Sequence, residues 1–175
     1  GNSVLKEIFS VESGYDFSDL RVLVCDDSRQ IRSLISSFLV GFGVKDAAEA
    51  LDADDAFAKL IEYDPDLVIT DWNMPPTDGL EFVQRVRNSE ESPNPYVPII
   101  MLTGYTELHR VKMARDSGIS AFLAKPISAQ ALYKRLVSVV DDQRPFVRND
   151  KFFGPCRRGG RRTNYPGAER RKQAQ

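Results

Sequence analysis

The sequence predicts an α/β fold in which a doubly wound, five-stranded parallel sheet carries helices on both faces. Short apolar runs alternate five times with segments of helical periodicity between residues 20 and 143. The runs are apolar at consecutive positions, as expected for strands that are buried on both faces. Strands that alternate with helices in this way imply a parallel sheet, and the crossovers between its strands should be right-handed.

The strands are predicted from the apolar runs at 21–25, 44–50, 67–70, 97–102 and 119–124. A helix is predicted to follow each strand. Asp27-Ser28 offers a cap to the first helix, and Asp52 offers one to the second. The third helix should follow Gly79, and the last two should span 106–117 and 128–141.

Length and composition suit a single domain with short appendages. The 175 residues are 42% hydrophobic and include ten Phe, enough for a core. No apolar run approaches the roughly 18 residues that cross a bilayer, and no signal-peptide pattern opens the chain. We therefore expect a cytoplasmic protein without membrane insertion, in which Cys25 and Cys156 stay reduced.

Charge divides the chain unevenly. Residues 144–175 carry ten Lys/Arg and two acidic residues, a net charge of +8, whereas residues 1–143 carry a net charge of −9. We expect a leader at 1–19 with a short amphipathic helix, a folded domain at 20–143, and a basic, Pro/Gly/Arg-rich tail at 144–175.

Polar residues follow four of the five predicted strands. In an open parallel sheet, ligands bind at the edge formed by the carboxyl ends of the strands, so these side chains should converge there. They are Asp26 and Asp27 after the first strand, Asp71 after the third, Thr103 after the fourth and Lys125 after the fifth.

Three carboxylates at one edge repel one another and need a cation. Oxygen ligands without a neighbouring histidine or cysteine suit Mg²⁺ better than zinc, and Mg²⁺ commonly takes further ligands from phosphate oxygens. With an ammonium and a hydroxyl nearby, such a site is suited to stabilising a transferring phosphoryl group. The central carboxylate, Asp71, would be the nucleophile and would form an aspartyl phosphate.

The chain resembles the receiver domains of bacterial two-component response regulators over residues 20–142, and it is close in size to the stand-alone chemotaxis type. The matching motifs are Asp26-Asp27, Asp71, the loop Met74-Pro75-Pro76-Thr77-Asp78-Gly79, Thr103-Gly104 and Lys125-Pro126, in the order typical of that family. The resemblance implies a flavodoxin-like sheet with strand order 2-1-3-4-5.

The resemblance also implies a role for each site residue. Asp71 is the expected phosphoacceptor, and Thr103 and Lys125 are expected to contact the phosphate oxygens. Phe122 holds the position of the aromatic residue that pairs with Thr103 during switching, and the Lys125–Pro126 peptide bond is expected to be cis. The expected Mg²⁺ ligands are Asp27, Asp71 and the backbone carbonyl of Asn73, with Asp26 acting through a bound water.

Some of these residues also have simpler interpretations. Asp26 or Asp27 could cap a helix, Thr103 could be a turn residue, Lys125 could be a solvated charge and Phe122 could be ordinary core. Asp78 and Gly79 are read as a helix cap and a tight turn. Trp72 is either an exposed lid and fluorescence reporter or a packing residue, and His109 is expected to be a surface residue.

The basic tail leaves three interpretations open: a disordered segment, a nucleic-acid contact through phosphates, or a segment that docks on protein. We expect part of residues 144–165 to dock on a receiver domain, its own or a neighbour's. The charge contrast favours this, and so do Phe146, Phe152, Phe153 and Tyr165, which could each bury apolar area.

The leading hypothesis is a phosphorelay switch that acts through protein–protein contacts. The expected partners are a histidine kinase or histidine phosphotransfer protein and a downstream protein target, with a homodimer as one option for assembly. The alternative is a nucleic-acid-binding regulator that uses the basic tail as effector. A haloacid-dehalogenase-like phosphatase is disfavoured because that family typically has a second Asp two residues after the nucleophile, where this chain has Asn73.

Overall fold

In the computed structural model, which describes residues 15–104, 110, 118–141, 146–148 and 153–155, five parallel strands form one sheet. The strands are β1 (Arg21–Cys25), β2 (Asp46–Ala50), β3 (Leu67–Asp71), β6 (Ile99–Thr103) and β7 (Ala121–Ala124), and two short strands between β3 and β6 lie outside this sheet. The strand order is β2-β1-β3-β6-β7. Counted along the sheet strands alone, this is the predicted order 2-1-3-4-5.

Four helices of the described part connect or follow these strands: α1 (Arg29–Gly41), α2 (Ala53–Tyr63), α3 (Gly79–Asn88) and α4 (Ala129–Asp141). The helix predicted at 106–117, with His109, lies outside the described residues apart from Arg110. Two further strands, β4 (Asn73–Met74) and β5 (Thr77–Asp78), form a small antiparallel pair in the loop after β3.

The sheet is covered on both faces because successive strand residues point to opposite sides. Val22 and Val24 of β1 belong to the apolar cluster that includes α1 and α4, whereas Leu23 and Cys25 belong to the cluster that includes α2 and α3. Consecutive apolar residues of β1 therefore pack on opposite faces of the sheet, as the sequence predicted. The Cys25 thiol is fully buried, and this burial raises its pKa.

Capping side chains begin three helices where the sequence indicated. Ser28 accepts a hydrogen bond from the Ile31 N–H at the start of α1. Asp52 caps α2, and Asp78 caps α3 by accepting from the Glu81 N–H at 2.9 Å. Each cap satisfies a backbone N–H group that the helix leaves unpaired. Ser28, rather than Asp27, provides the first cap, which leaves the Asp27 carboxylate exposed.

The end of the predicted leader packs against the folded body. Phe17 is 3% exposed, and it stacks on Tyr15 and meets the Tyr133 ring edge-on. Tyr133 also packs against Phe42, and the Tyr15 hydroxyl donates to the Asp141 carboxylate. This aromatic cluster joins residues before β1 to α1 and α4.

The predicted tail contains two short strands, β8 (Phe146–Arg148) and β9 (Phe153–Pro155), which pair antiparallel. Strand β9 lies beside α3. Cys156 lies outside the described residues, so the expectation that it stays reduced is not tested. Among the helices of the described ranges, we find none long and apolar enough to cross a membrane.

Candidate functional site

Three carboxylates meet at the carboxyl edge of the sheet. One oxygen from each of Asp26, Asp27 and Asp71 lies within 4.8 Å of the others. Asp26 and Asp71 are buried, with 1% and 5% of their surface exposed, whereas Asp27 is open to solvent. The sequence predicted this convergence from the positions of the three residues at the carboxyl ends of parallel strands.

Among the described residues, only one oxygen of the Asp26 carboxylate accepts a hydrogen bond, and the other lies within ion-pair distance of Lys125. Asp26 Oδ1 accepts a hydrogen bond from the Ser28 N–H at 2.8 Å, whereas the buried Oδ2 has no hydrogen-bond partner within the described ranges. Burial raises the pKa of Asp26 to about 6, and the nearby charges of Asp71 and Asp27 act in the same direction. A buried carboxylate oxygen without a hydrogen bond, together with two neighbouring carboxylates, provides oxygen ligands of the kind that a hard divalent cation binds.

Lys125 supplies the positive charge of the site. Its Nζ lies 3.0 Å from Asp71 Oδ1 and 3.8 Å from Asp26 Oδ2. Lys125 directly follows β7, and its N–H donates to the Thr103 carbonyl at 2.9 Å, which ties the ends of β6 and β7 together. The Lys125–Pro126 bond is cis, as expected from the resemblance.

Thr103 and Asn73 lie near Asp71 along the backbone: Thr103 follows Leu102, which pairs with Asp71 in the sheet, and Asn73 follows Asp71 by two residues. Thr103 is the last residue of β6 and is buried, with 1% of its surface exposed. Asn73 is exposed and pairs in register with Asp78 in the β4–β5 hairpin. Both residues are therefore at the edge where the sequence placed them.

The loop after Asp71 folds back tightly on Asp71. The Pro75–Pro76 bond is also cis, and the Gly79 N–H donates to the Trp72 carbonyl at 2.6 Å. A Cβ atom at Gly79 would lie 2.3 Å from the Asp71 carbonyl oxygen, so only glycine fits there. The prediction that Asp78 caps a helix is confirmed, and Gly79 is the first residue of that helix. The hairpin and this second cis bond were not predicted.

Trp72 is a packing residue rather than an exposed lid. It is 2% exposed, and its indole stacks on Phe122 with the ring centroids 6.4 Å apart. The Arg110 guanidinium lies 4.9 Å from the centroid of the Trp72 ring. Phe122 is partly buried, and its stack on Trp72 means that the aromatic residue at the predicted switch position touches the residue that follows Asp71.

Comparisons with known proteins agree with this geometry. The family model described as response regulator receiver domain matches residues 22–137. Chemotaxis protein CheY1 of Helicobacter pylori is 35% identical over 122 residues, which are 69% of this chain and 97% of the relative. Chemotaxis protein CheY-3 of Vibrio cholerae is 28% identical over 123 residues, or 70% of this chain and 93% of the relative.

Solved structures give the same result. The structure of the chemotaxis response regulator CheY4 of Vibrio cholerae matches with a TM-score of 0.62 and 34% identity, and the match covers 69% of this chain and 98% of that one. The receiver domain of NtrX from Brucella abortus matches with a TM-score of 0.62 and 27% identity, over 68% and 97% of the two chains.

Proposed function

Because this chain belongs to the response regulator receiver family, we propose that it accepts a phosphoryl group on Asp71 from a histidine kinase or a histidine phosphotransfer protein. The observation that carries the proposal is the placement of Asp71. Its Oδ1 lies 3.0 Å from Lys125 Nζ, and its carboxylate shares the sheet edge with Asp26 and Asp27. A nucleophilic carboxylate, a cation site and a fixed ammonium are the groups that phosphoryl transfer requires.

Mg²⁺ is the proposed cofactor. We assign Asp27, Asp71 and the Asn73 carbonyl as its direct ligands, with Asp26 contributing through water. When bound, Mg²⁺ would neutralise charge that develops on the phosphoryl oxygens. The exposed position of Asp27 supports access of a hydrated ion from solvent, since Mg²⁺ usually keeps several waters.

The proposed reaction forms one bond and breaks one. A carboxylate oxygen of Asp71 attacks the phosphorus of the donor's phosphohistidine, and the P–N bond breaks. The imidazole nitrogen leaves with the electron pair and takes up a proton from solvent. Hydrolysis later returns the Asp71 carboxylate when water attacks the phosphorus and the P–O bond breaks, releasing inorganic phosphate. Lys125 and Thr103 would contact the phosphoryl oxygens in both steps.

The proposed output is a protein-contact switch. Phosphorylation would draw Thr103 toward the phosphoryl group and let Phe122 turn inward, because only a contact that differs between two states shifts their populations. The surfaces of β7, α4 and the helix predicted at 106–117 should then change. Amide hydrogen exchange with and without beryllofluoride tests this, and protection changes confined to the surroundings of Asp71 would contradict it.

Acetyl phosphate provides the experiment for the chemistry. Incubation with acetyl phosphate and Mg²⁺ should add the mass of one phosphoryl group to the intact chain, and EDTA should prevent the addition. Equal addition with EDTA would contradict the role of the metal. If the chain gains no phosphoryl group from acetyl phosphate with Mg²⁺, and none from a cognate kinase, the proposed function is contradicted.

The net charge of +8 in residues 144–175 supports a second candidate, a regulator that contacts nucleic acid through its tail. Salt-dependent retention on DNA that is lost in a chain ending at Asp142 would favour it.

We propose a division of the chain into a leader at 1–19, a receiver at 20–143 and a tail at 144–175. The proposed protein is cytoplasmic, its target is another protein, and a homodimer is one option for its assembly.

A further inference from the structure

A partly buried arginine, Arg32, contacts the backbone of the acidic cluster. Arg32 is in the first turn of α1, and its side chain is only 14% exposed. One guanidinium nitrogen, Nη1, donates to the backbone carbonyl of Asp26 at 2.6 Å. The Nε atom lies 3.3 Å from Glu49 Oε1, a side chain on the edge strand β2. The guanidinium therefore connects α1, the end of β1 and β2.

The bond from Arg32 completes the restraint of Asp26. The Asp26 N–H donates to the Ala50 carbonyl at 3.0 Å, and its carboxylate accepts from the Ser28 N–H at 2.8 Å. The carbonyl that Arg32 holds belongs to the peptide group between Asp26 and Asp27. Because a peptide group is planar, fixing its oxygen fixes the direction in which the chain enters Asp27.

Asp27 needs such a restraint more than its neighbours do. Asp26 and Asp71 are buried and packed, whereas the Asp27 side chain is exposed at the turn between β1 and α1. Mg²⁺ demands near-ideal octahedral geometry, so a loosely placed carboxylate costs affinity. The direction of the Asp26–Asp27 peptide is the feature that Arg32 controls.

Charge alone would make Arg32 a poor neighbour for this site. A guanidinium near three carboxylates competes electrostatically with a divalent cation. Glu49 offsets part of that charge and holds the guanidinium at the Asp26 carbonyl. If Arg32 acts through geometry, its removal should weaken cation binding. If it acts only through charge, its removal should strengthen cation binding.

We propose that Arg32 is a positioning residue for the divalent-cation site: through the Asp26 carbonyl it sets the geometry of the Asp26–Asp27 pair, and Glu49 holds its guanidinium in place. The inference rests on the proposed function only in taking the acidic cluster as a cation site. It assigns Arg32 no contact with the ion or the phosphoryl group.

The test measures ion binding without any phosphodonor. Isothermal titration with Mg²⁺, repeated with Mn²⁺, is compared for the wild type, Arg32→Met, Arg32→Lys and the control Arg29→Met. Arg29 is an exposed arginine in the same helical turn, so its removal takes away the same charge. Loss of a residue that orients a ligand typically weakens metal affinity about 10-fold to 100-fold. We expect about a tenfold loss for both Arg32 variants and less than about a twofold change for Arg29→Met.

Two other patterns would overturn the proposal. Tighter binding by Arg32→Met with unchanged binding by Arg32→Lys would mean that Arg32 acts through charge alone. Lower melting temperatures of the metal-free Arg32 variants with unchanged ion affinity would mean that Arg32 only stabilises the fold.

Glu49→Gln keeps the test decisive if the Arg32 variants do not fold, since Glu49 is half exposed. Releasing the guanidinium should weaken Mg²⁺ binding severalfold and make the affinity more sensitive to salt, and unchanged affinity would overturn the role of the pair. Wild-type protein that binds neither ion would contradict the proposed function together with this inference. Normal wild-type binding with unaffected variants would contradict this inference alone.

Discussion

The Trp72 indole stacks on the Phe122 ring at an interplanar angle of 30°. Trp72 follows the proposed phosphoacceptor directly. Phe122 lies in β7, three residues before Lys125. The pair therefore joins the loop after Asp71 to the proposed switch strand. Trp72 is also the one tryptophan of the chain, so its emission reports on this contact.

We predict that beryllofluoride with Mg²⁺ changes the fluorescence of Trp72. Movement of Phe122 would alter the surroundings of the indole, so Phe122→Leu should reduce the change. Steady-state emission spectra measure the effect, and Tyr96→Leu removes an aromatic ring at an exposed position as the control. An identical fluorescence change in the wild type and in Phe122→Leu would show that Phe122 takes no part in the switch.

We predict an unusual pH dependence of stability from Asp26. The pKa of this carboxyl is raised to about 6 in the folded chain, above its ordinary value of 3.8, so the folded state binds more protons between these values. Its contribution to stability is therefore complete at low pH and is lost as the pH rises through about 6. A shift of this size corresponds to up to about 3 kcal/mol.

Asp26→Asn should remove this loss. In EDTA, its free energy of unfolding should match that of the wild type near pH 4 and exceed it by up to about 3 kcal/mol at pH 7, because the variant has no charge to bury. Urea unfolding at a series of pH values measures the difference. A difference that does not vary with pH would contradict the assignment.

We predict that Arg87 stabilises the fold strongly. Its buried guanidinium donates to the backbone carbonyls of Gly118, Val97 and Pro95 and so joins α3 to two loops. Arg87→Met should lower the free energy of unfolding by about 3 kcal/mol or more, since it leaves buried acceptors unpaired. Arg85→Met, which removes an exposed ion pair with Asp54, should cost about 1 kcal/mol or less. Equal losses in urea unfolding would contradict this role.

The fold and the acidic cluster could be predicted because they depend on patterns local in sequence. Runs such as Leu67-Val68-Ile69 define buried strands, and strand-end residues converge once the strands are parallel. The start of β7 at Ala121, two residues later than predicted, reflects hydrogen bonding between neighbouring strands rather than apolar pattern. Strand boundaries depend on partners that are distant in sequence.

Other features depend on three-dimensional partners and could not be predicted. Arg87 has the spacing of an apolar position, four residues after Val83, yet only the structure supplies the carbonyls that satisfy it. The contact of Arg32 with Asp26 likewise depends on how α1 lies against β1. Burial of Trp72 follows from the packing of Phe122 and the position of Arg110, which the sequence left open.

We predict that part of residues 144–165 docks on a receiver body. The antiparallel pairing of β8 with β9, and the position of β9 beside α3, support this prediction. A chain ending at Asp142 should melt a few degrees lower, since 1 kcal/mol corresponds to about 2–4 °C in a chain of this size. Unchanged melting temperature, molar mass and dephosphorylation rate, with random-coil NMR shifts for the tail, would support a disordered tail instead.

The central claim is that Asp71 receives the phosphoryl group. Its most direct test is the amount of acid-stable, base-labile phosphate that the wild type, Asp71→Asn and Asp78→Asn acquire from labelled acetyl phosphate with Mg²⁺. Asp78 lies in the same loop and caps α3, a role that asparagine also fulfils, so Asp78→Asn is the matched control. We predict labelling of the wild type and Asp78→Asn and none of Asp71→Asn; labelling of Asp71→Asn to the wild-type extent would contradict the claim.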